Sequence, residues 1–351
     1  MLSRLVLNCN SPLPVPMKIK SYFLQTVYGL LSLGSFLAGT SLAEPGELSL
    51  PKLKVALKAN KNPEKMLEEK EKLATYLKEK LNREVEVIVP TSSAIILEGF
   101  ANGTIDLGYL SSTDAAKNAE ADTASILLIH LKNGKPHYDS VWLSLKEKDY
   151  DSIEDLKGKP VAFASPTSTS GFLIPVRDLH EKKLIGVDIG GLEDFFSKTI
   201  FGTGYVTAVE KVLSGEAEAA AVSDYVFLGE KYLDEGQKAK LKIVQKQGPV
   251  PSHTICYRKS LSDSDRDILK ATLLAMNDGD PVLRDKVFNG KLVEVDEEEH
   301  LKVTREALAI AEDLEKFRKK NSWPQNLIII LVLLGIALIF FMRRATAKVK
   351  S

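Results

Sequence analysis

One arrangement of residues occurs twice in this chain and limits the folds open to it. The run from Leu97-Glu98 to Asn102-Gly103-Thr104-Ile105-Asp106-Leu107-Gly108-Tyr109 matches in layout the run from Val209-Glu210 to Ser214-Gly215-Glu216-Ala217-Glu218-Ala219-Ala220-Ala221. Each copy reads as a helix, a glycine stop, an acid, a strand of small or apolar residues, and then a serine. A helix ends at a left-handed cap before the chain turns into a strand, so both glycines have a structural explanation. The repeat implies two similar lobes and does not by itself mark a binding residue.

The surrounding pattern alternates between strand and helix. Leu53 to Leu57 reads as a strand, and Asn62 with Pro63 opens a helix through Leu81 whose stripe is Met66, Leu73, Leu77 and Leu81. Val85, Val87 and Val89 alternate as a strand would, Ser93 to Asn102 is helical, and Ile105 to Tyr109 is again a strand. Strands near Ile126 to Leu131, Val141 to Leu145 and Pro160 to Ala164 follow, with a short helix near Ile153 and another from Ser170. This predicts an α/β protein with mainly parallel sheets. Two such lobes joined by crossing strands leave a cleft where strand ends and helix starts converge. Helices at Ser262 to Asn277 and Glu297 to Lys319 close the body, the second packing through Leu301, Leu308, Ala311 and Leu314.

The chain has 351 residues, enough for about two folded units. Its 47 lysines and arginines balance 47 aspartates and glutamates, so no net field favours nucleic acid and any anion is bound locally. Both ends differ from the body. From Met17, two lysines precede an apolar stretch and Ser41-Leu42-Ala43, the pattern of a cleaved secretory signal peptide, with translation expected to start at Met17. Leu327 to Met342 is an apolar run of 16 residues, flanked by Pro324 as a first helical position, Trp323, Arg343 and Arg344. About 24 Å as a helix, it is expected to anchor an exported body, its basic tail in the cytoplasm. Cys9 lies ahead of the leader, so Cys256 is expected to be a lone, buried thiol without a disulfide.

The segment richest in chemistry is Pro160-Val161-Ala162-Phe163-Ala164-Ser165-Pro166-Thr167-Ser168-Thr169-Ser170-Gly171. A buried strand runs into a loop of hydroxyls that opens a helix, so free N–H groups and O–H donors share one spot. That spot suits a tetrahedral oxyanion, although a Ser/Thr cap is the simpler reading. Three adjacent hydroxyls exceed what a cap requires.

Ser168-Thr169-Ser170-Gly171 followed by Pro175, and preceded by Asp155-Leu156-Lys157-Gly158-Lys159, resembles the phosphate, phosphite and phosphonate periplasmic substrate-binding proteins of ABC transporters. The resemblance extends from about Leu53 to about Leu314. It implies an α/β, two-lobed type II periplasmic-binding-protein fold, here with a C-terminal transmembrane helix. The expected organisation is signal peptide 17–43, lobe I 51–140 and 253–320, lobe II 141–252, anchor 324–343 and cytoplasmic tail 344–351. Ser168, Thr169 and Ser170 would be the phosphoryl-oxygen ligands. Tyr205 stands where the family often has a histidine, and its phenol can still donate. Tyr225 and His253 fall where aminophosphonate binders carry acids for the ligand ammonium. Ser93, and Ala115 near the Ser111-Ser112-Thr113 turn, occupy positions where family members often place tyrosines. Ser112 joins the expected ligand set.

Without a carboxylate partner a ligand ammonium would be desolvated at a cost of several kcal/mol, so a small phosphorus oxyanion or a phosphonate with an uncharged tail is expected. Neutral donors would let the anion go again. Tyr138, where the chain crosses between lobes, lines the cleft or packs the hinge; Asn60 faces the ligand or a loop, and Lys58 is expected in a solvated loop. His253 and Cys256 are too few for a zinc site, and Ser170, Asp224 and His253 lack the Gly-x-Ser-x-Gly elbow of a hydrolase. The expected protein is therefore no enzyme and needs no cofactor: a monomeric binding protein that docks on an ABC permease. The alternative is a receptor subunit that reports occupancy to a signalling partner.

Overall fold

The computed structural model describes the backbone of residues 47–58 and 63–348, and side chains over 47–58 and 66–319 and at Leu331, Leu334 and Ile336. The expected signal peptide, Cys9, Asn60 and Asn62 lie outside the described residues.

In chain order the first elements are β1 (Lys52–Leu57), α1 (Pro63–Leu81), β2 (Glu84–Ile88), α2 (Ser93–Ala101), β3 (Leu107–Leu110), α3 (Ser112–Glu120) and β4 (Ala124–His130). The chain then crosses into β5 (His137–Leu145), a 3-10 turn Glu154–Leu156, β6 (Pro160–Phe163), a π-helical turn Thr169–Leu173 and α4 (Ile174–Glu181). Next come α5 (Leu192–Phe195), β7 (Lys198–Phe201), α6 (Tyr205–Leu213), β8 (Ala219–Ser223), α7 (Asp224–Leu228), α8 (Glu235–Lys240) and β9 (Leu241–Pro251). It returns through β10 (Thr254–Arg258), α9 (Asp263–Leu274), α10 (Met276–Gly279), α11 (Pro281–Phe288), β11 (Leu292–Val293) and α12 (Glu297–Lys348).

These strands form two sheets, ordered β11-β4-β10-β3-β1-β2 and β7-β6-β8-β5-β9. The repeat recognised in the sequence sits once in each. Gly103 after α2 and Gly215 after α6 hold φ of +75° and +77°, the left-handed stop that lets each helix turn toward a core strand. The sheets are mixed, which corrects the expectation of mainly parallel pairing. β1 runs parallel to β2 and β3, and β6 to β7 and β8. β10 opposes β3 and β4, while β5 opposes β8 and β9. The strands beside the two crossings enter their sheets from the opposite end, and Ser252-His253 alone separate β9 from β10.

Each sheet buries both faces. Leu53, Leu73, Leu107 and Phe288 pack under α1 and α11 in the first lobe, and Ile96, Phe100, Cys256 and Leu301 cover its other face. Burial pushes the Cys256 thiol up to about 12, so it stays an inert apolar thiol. In the second lobe Trp142, Phe163 and Phe196 fill one face and Val141, Val209 and Val222 the other.

Helix α12 touches both lobes: α3 on one side, and α4, β9 and the π turn on the other. Leu301 and Leu314, expected to pack, are buried at its two contact regions. Its backbone runs on without a break to Lys348, so Pro324 does not open a separate helix. Among the described residues no helix is long and apolar enough to cross a membrane. Of the apolar run, only the exposed Leu331, Leu334 and Ile336 have described side chains.

Candidate anion-binding cleft

The loop after β6 enters its helix through a wide turn. Ser168 caps it with an extended backbone, its Oγ accepting the Gly171 N–H at 3.0 Å, while the Leu173 N–H reaches the Ser168 carbonyl at 3.0 Å. Gly171 permits this, because a Cβ there would lie 2.4 Å from Ala164 Cβ, 2.8 Å from Ser168 Oγ and 3.3 Å from the Ala221 carbonyl. The turn therefore sits directly on β6 and β8. Ser170 is held from below: its carbonyl accepts the Ser140 hydroxyl at 2.6 Å, and Ser140 Oγ accepts from Gln247 Nε2 at 2.8 Å.

The side chains of this turn reach outward to partners. Ser170 Oγ lies 2.8 Å from the Tyr205 hydroxyl at the start of α6. Thr169 Oγ1 lies 2.7 Å from Thr113 Oγ1 and accepts from Ser112 Oγ at 3.5 Å, both on the first turn of α3 in the opposite lobe. Both Thr169 and Ser170 are buried. Two helix starts, one per lobe, thus face each other through hydroxyls, and each carries unpaired N–H groups and the positive end of a helix dipole. That arrangement favours an anion between them.

Behind α3 lies an ion pair. Lys58 Nζ is 2.5 Å from Asp114 Oδ2 and donates to Ser111 Oγ at 3.2 Å, which corrects the expectation of a solvated Lys58. A carboxylate at the first turn of a helix draws the lysine in. Burial alone would raise the Asp114 carboxyl, but the Lys58 ammonium and the Ser111 and Ser93 hydroxyls outweigh it and hold the group below its usual range. Ser93 thereby supports α3.

Beside the hydroxyls opens a cavity of about 120 Å³. The second lobe lines it with Tyr138, Tyr225, Lys231 and Tyr232, and the first with His130, Lys132, His253 and Asn289. Tyr138 and Tyr225 have ring centres 5.3 Å apart, and Tyr205 meets Tyr225 edge-on at 6.0 Å. Burial and then the neighbouring Tyr205 push the Tyr138 and Tyr225 phenols well above their usual range, so both remain O–H donors. His253 stacks on Tyr138 at 6.4 Å and lies 5.9 Å from His130. The Tyr109 hydroxyl donates to the Phe288 carbonyl at 2.9 Å and stands 3.1 Å from His130 Nδ1. Burial, reinforced by Lys132, lowers His130 to about 4; burial, reinforced by His130 and Lys58, lowers His253 to about 3. Both imidazoles are neutral at physiological pH and offer one donor each.

Of the residues expected from sequence, Thr169, Ser170, Tyr205 and Ser112 form the hydroxyl cluster, while Tyr138, Tyr225 and His253 line the adjoining cavity. Tyr138 both lines the cleft and is buried between lobes. Ser168 and Gly171 shape the turn, and Ser93 stands behind α3. Ser170 pairs with Tyr205, not with His253, so the three residues weighed as a hydrolase triad do not form a bonded relay. A cleft of neutral donors alone was expected, yet Lys132 and Lys231 line it. Sequence reasoning also missed Thr113, Ser140, His130 and Asn289. Thr113 belongs to the serine-rich start of α3, and Lys132 to the crossing between sheets; those positions were the available signals.

A family profile described as "ABC transporter, phosphonate, periplasmic substrate-binding protein" matches residues 55–300. The chain is 27% identical over 207 residues to the "Phosphate-import protein PhnD" of Mycolicibacterium smegmatis, covering 56% of this chain and 63% of that protein. It is 27% identical over 199 residues to the "Phosphonates-binding periplasmic protein" of Escherichia coli, covering 54% of this chain and 56% of the relative. The alignments thus span less than two thirds of both curated relatives. In fold it is similar to PhnD1 from Prochlorococcus marinus in complex with methylphosphonate, with TM-score 0.63 and 18% identity over 75% of this chain and 99% of that one. With two mixed sheets facing across a hydroxyl-lined cleft and a family match over most of the described body, this chain belongs to the periplasmic substrate-binding proteins of phosphonate ABC transporters.

Proposed function

We propose that this protein is a membrane-tethered, extracytoplasmic substrate-binding protein that takes a small phosphorus oxyanion, phosphonate, phosphite or phosphate, in the cleft between its lobes and presents it to an ABC permease. The observation that carries this reading is the contact of Thr169 with Thr113 and Ser112, which puts hydroxyls from both lobes on one spot. A tetrahedral oxyanion entering there would replace hydroxyl–hydroxyl bonds by charge-assisted ones from both sides and so stabilise the closed form. Ser168, Thr169, Ser170, Ser112 and Tyr205 would hold its oxygens. Tyr138, Tyr225 and His253 would enclose what remains of the ligand. The names of the relatives, one for phosphate import and one for phosphonate binding, fit this ligand class.

A thermal-unfolding series on the full chain in detergent tests the ligand class. Phosphite, phosphate or methylphosphonate at a hundred times its dissociation constant should add about 2.7 kcal/mol of stability. Sulfate should add less. An equal response to sulfate, or none to any phosphorus oxyanion, would refute the assignment.

The tether rests on the apolar run Leu327 to Met342, which continues α12 and ends at Arg343 and Arg344. Carbonate-washed membranes from cells expressing the full chain should retain it, and a chain ending before Trp323 should appear in the soluble extracytoplasmic fraction. Release of the full chain by the wash would contradict a spanning anchor.

A further inference from the structure

The proposed phosphoryl site accounts for the hydroxyl cluster and leaves the adjoining cavity without a ligand group of its own. Part of its first-lobe wall is His130, at the end of β4, and the contacts behind that ring fix where its proton sits. The Tyr109 hydroxyl has a single proton and gives it to the Phe288 carbonyl at 2.9 Å, since a carbonyl can only accept. His130 Nδ1, 3.1 Å from the same phenol oxygen, is therefore the donor of that pair. The neutral ring is the Nδ1–H tautomer, with its one donor spent inside the protein and a lone pair on Nε2. Tyr109 is buried and does not line the cavity, so it holds the Nδ1 side of the ring from behind the wall. Nε2 has no hydrogen-bond partner among the described residues and is left for the cavity. The Asn289 side chain donates to the same phenol, which leaves its amide oxygen as a second acceptor on this wall.

A ligand that fills the space with apolar atoms would strip water from these acceptors and leave them unpaired, which costs more than an ordinary hydrogen bond gains. The wall therefore asks for a donor. Its charge is constrained as well. Lys132 sets positive charge beside His130, and Lys132 and Lys58 do so beside His253, where Asp114 opposes them but is itself paired with Lys58. A ligand ammonium is disfavoured at that wall. Asp224, whose Oδ1 is buried without a hydrogen-bond partner, acts on Tyr138 on the second-lobe side. An ammonium would be drawn to that side, away from His130, so the two donor types are separable by experiment.

From this geometry we infer that the ligand is a phosphonate with a hydroxyl on a short tail, that His130 Nε2 accepts the bond from that hydroxyl, and that Tyr109 is the positioning residue that fixes the accepting tautomer. The inference rests on the proposed function, because it needs the phosphoryl group at the hydroxyl cluster. Size limits the tail. About 120 Å³ is the liquid volume of roughly four waters, which suits a hydroxyethyl group and excludes a nucleoside. A site built to bond a hydroxyl rejects the analogue that lacks it, because its own buried acceptor is then left bare.

Calorimetric titration of the full chain in detergent with 2-hydroxyethylphosphonate, propylphosphonate and 2-aminoethylphosphonate, whose tails have equal heavy-atom counts, tests this beside methylphosphonate. 2-Hydroxyethylphosphonate should bind about tenfold tighter than propylphosphonate, and tighter than 2-aminoethylphosphonate. Tyr109→Phe frees Nδ1 and with it the tautomer, so the ratio of the hydroxyethyl to the propyl affinity should shrink to about twofold. Nitrogen NMR of the histidine-labelled parent reads the tautomer without any variant: His130 should show a protonated Nδ1 and a bare Nε2. A protonated Nε2, equal affinities for the hydroxyethyl and propyl ligands, or an unchanged ratio in Tyr109→Phe would overturn the inference. Tightest binding of 2-aminoethylphosphonate would overturn it too, in favour of an ammonium near Asp224. Binding of methylphosphonate alone would overturn the hydroxyl tail and leave the phosphoryl site standing, whereas failure of all four ligands would remove both readings together.

Discussion

Gly171→Ala is expected to cost about 2–3 kcal/mol of folding stability and more than tenfold in affinity for methylphosphonate. Its added Cβ would sit 2.4 Å from Ala164 Cβ, well inside any real contact, with the Ala221 carbonyl only 3.3 Å away. Neither neighbour is the far end of a flexible side chain. Ala164 closes the end of β6 and Ala221 lies in β8, both central to their sheet, so the turn itself has to lift. Lifting it moves Thr169 away from Thr113 and Ser170 away from Tyr205, which links a packing defect to a binding defect. Denaturant unfolding and calorimetry on the same preparation check both effects. A variant that lost stability but bound as well as the parent would separate the turn from the site.

Acid should destabilise the protein well before its carboxylates titrate. His130 and His253 ordinarily titrate near 6.5 but are held to about 4 and about 3, and burial also lowers His300, whose Nε2 lies 3.0 Å from the Ser252 carbonyl. Above about pH 6.5 these imidazoles are neutral in both states and their contribution is complete. Between there and about pH 4 the unfolded chain binds protons that the folded chain refuses, so stability falls as pH falls, by up to about 1.4 kcal/mol per pH unit for each histidine. The groups facing His253 are Tyr109, His130, Tyr138, Lys58, Lys132 and Asp114; only Asp114 favours the imidazolium, and it is engaged by Lys58. Unfolding free energies measured from pH 7.5 to 4.5 should show this slope, and His130→Gln should flatten it. A profile flat to pH 5 would mean that these histidines already carry protons in the folded cleft.

Much of the scaffold was legible because its causes are local. Gly103 and Gly215 stop their helices by backbone conformation, which sequence reports directly. The alternation of apolar residues located β1, β2, α1 and α2 to within a few residues, since periodicity is a property of one segment. The hydroxyl run Ser168 to Ser170 stood out for the same reason. Its π-helical form did not, because Gly171 is pressed against Ala164 and Ala221 by tertiary packing. The mixed sheets were hidden for a related reason: strand direction at β5, β9 and β10 depends on where the crossings enter each sheet. Lys58 looked like a loop residue until Asp114 was brought beside it from across the sheet. Lys132 and Lys231 lie 99 positions apart and line one cavity only once the lobes face each other, so nothing local in the sequence marks them as cleft residues.

The most direct test of the account is calorimetric titration of Thr169→Ala with methylphosphonate, beside the parent chain and paired with denaturant unfolding of both. Loss of the Thr169 hydroxyl removes a charge-assisted bond to the ligand, about 1.5–3 kcal/mol, but only a neutral bond to Thr113 in the free protein, about 1 kcal/mol. The difference, about 0.5–2 kcal/mol, should lower affinity by about two- to thirtyfold, while stability falls by about 1 kcal/mol. Unchanged affinity would contradict the claim that helix-start hydroxyls from two lobes grip a phosphoryl group between them.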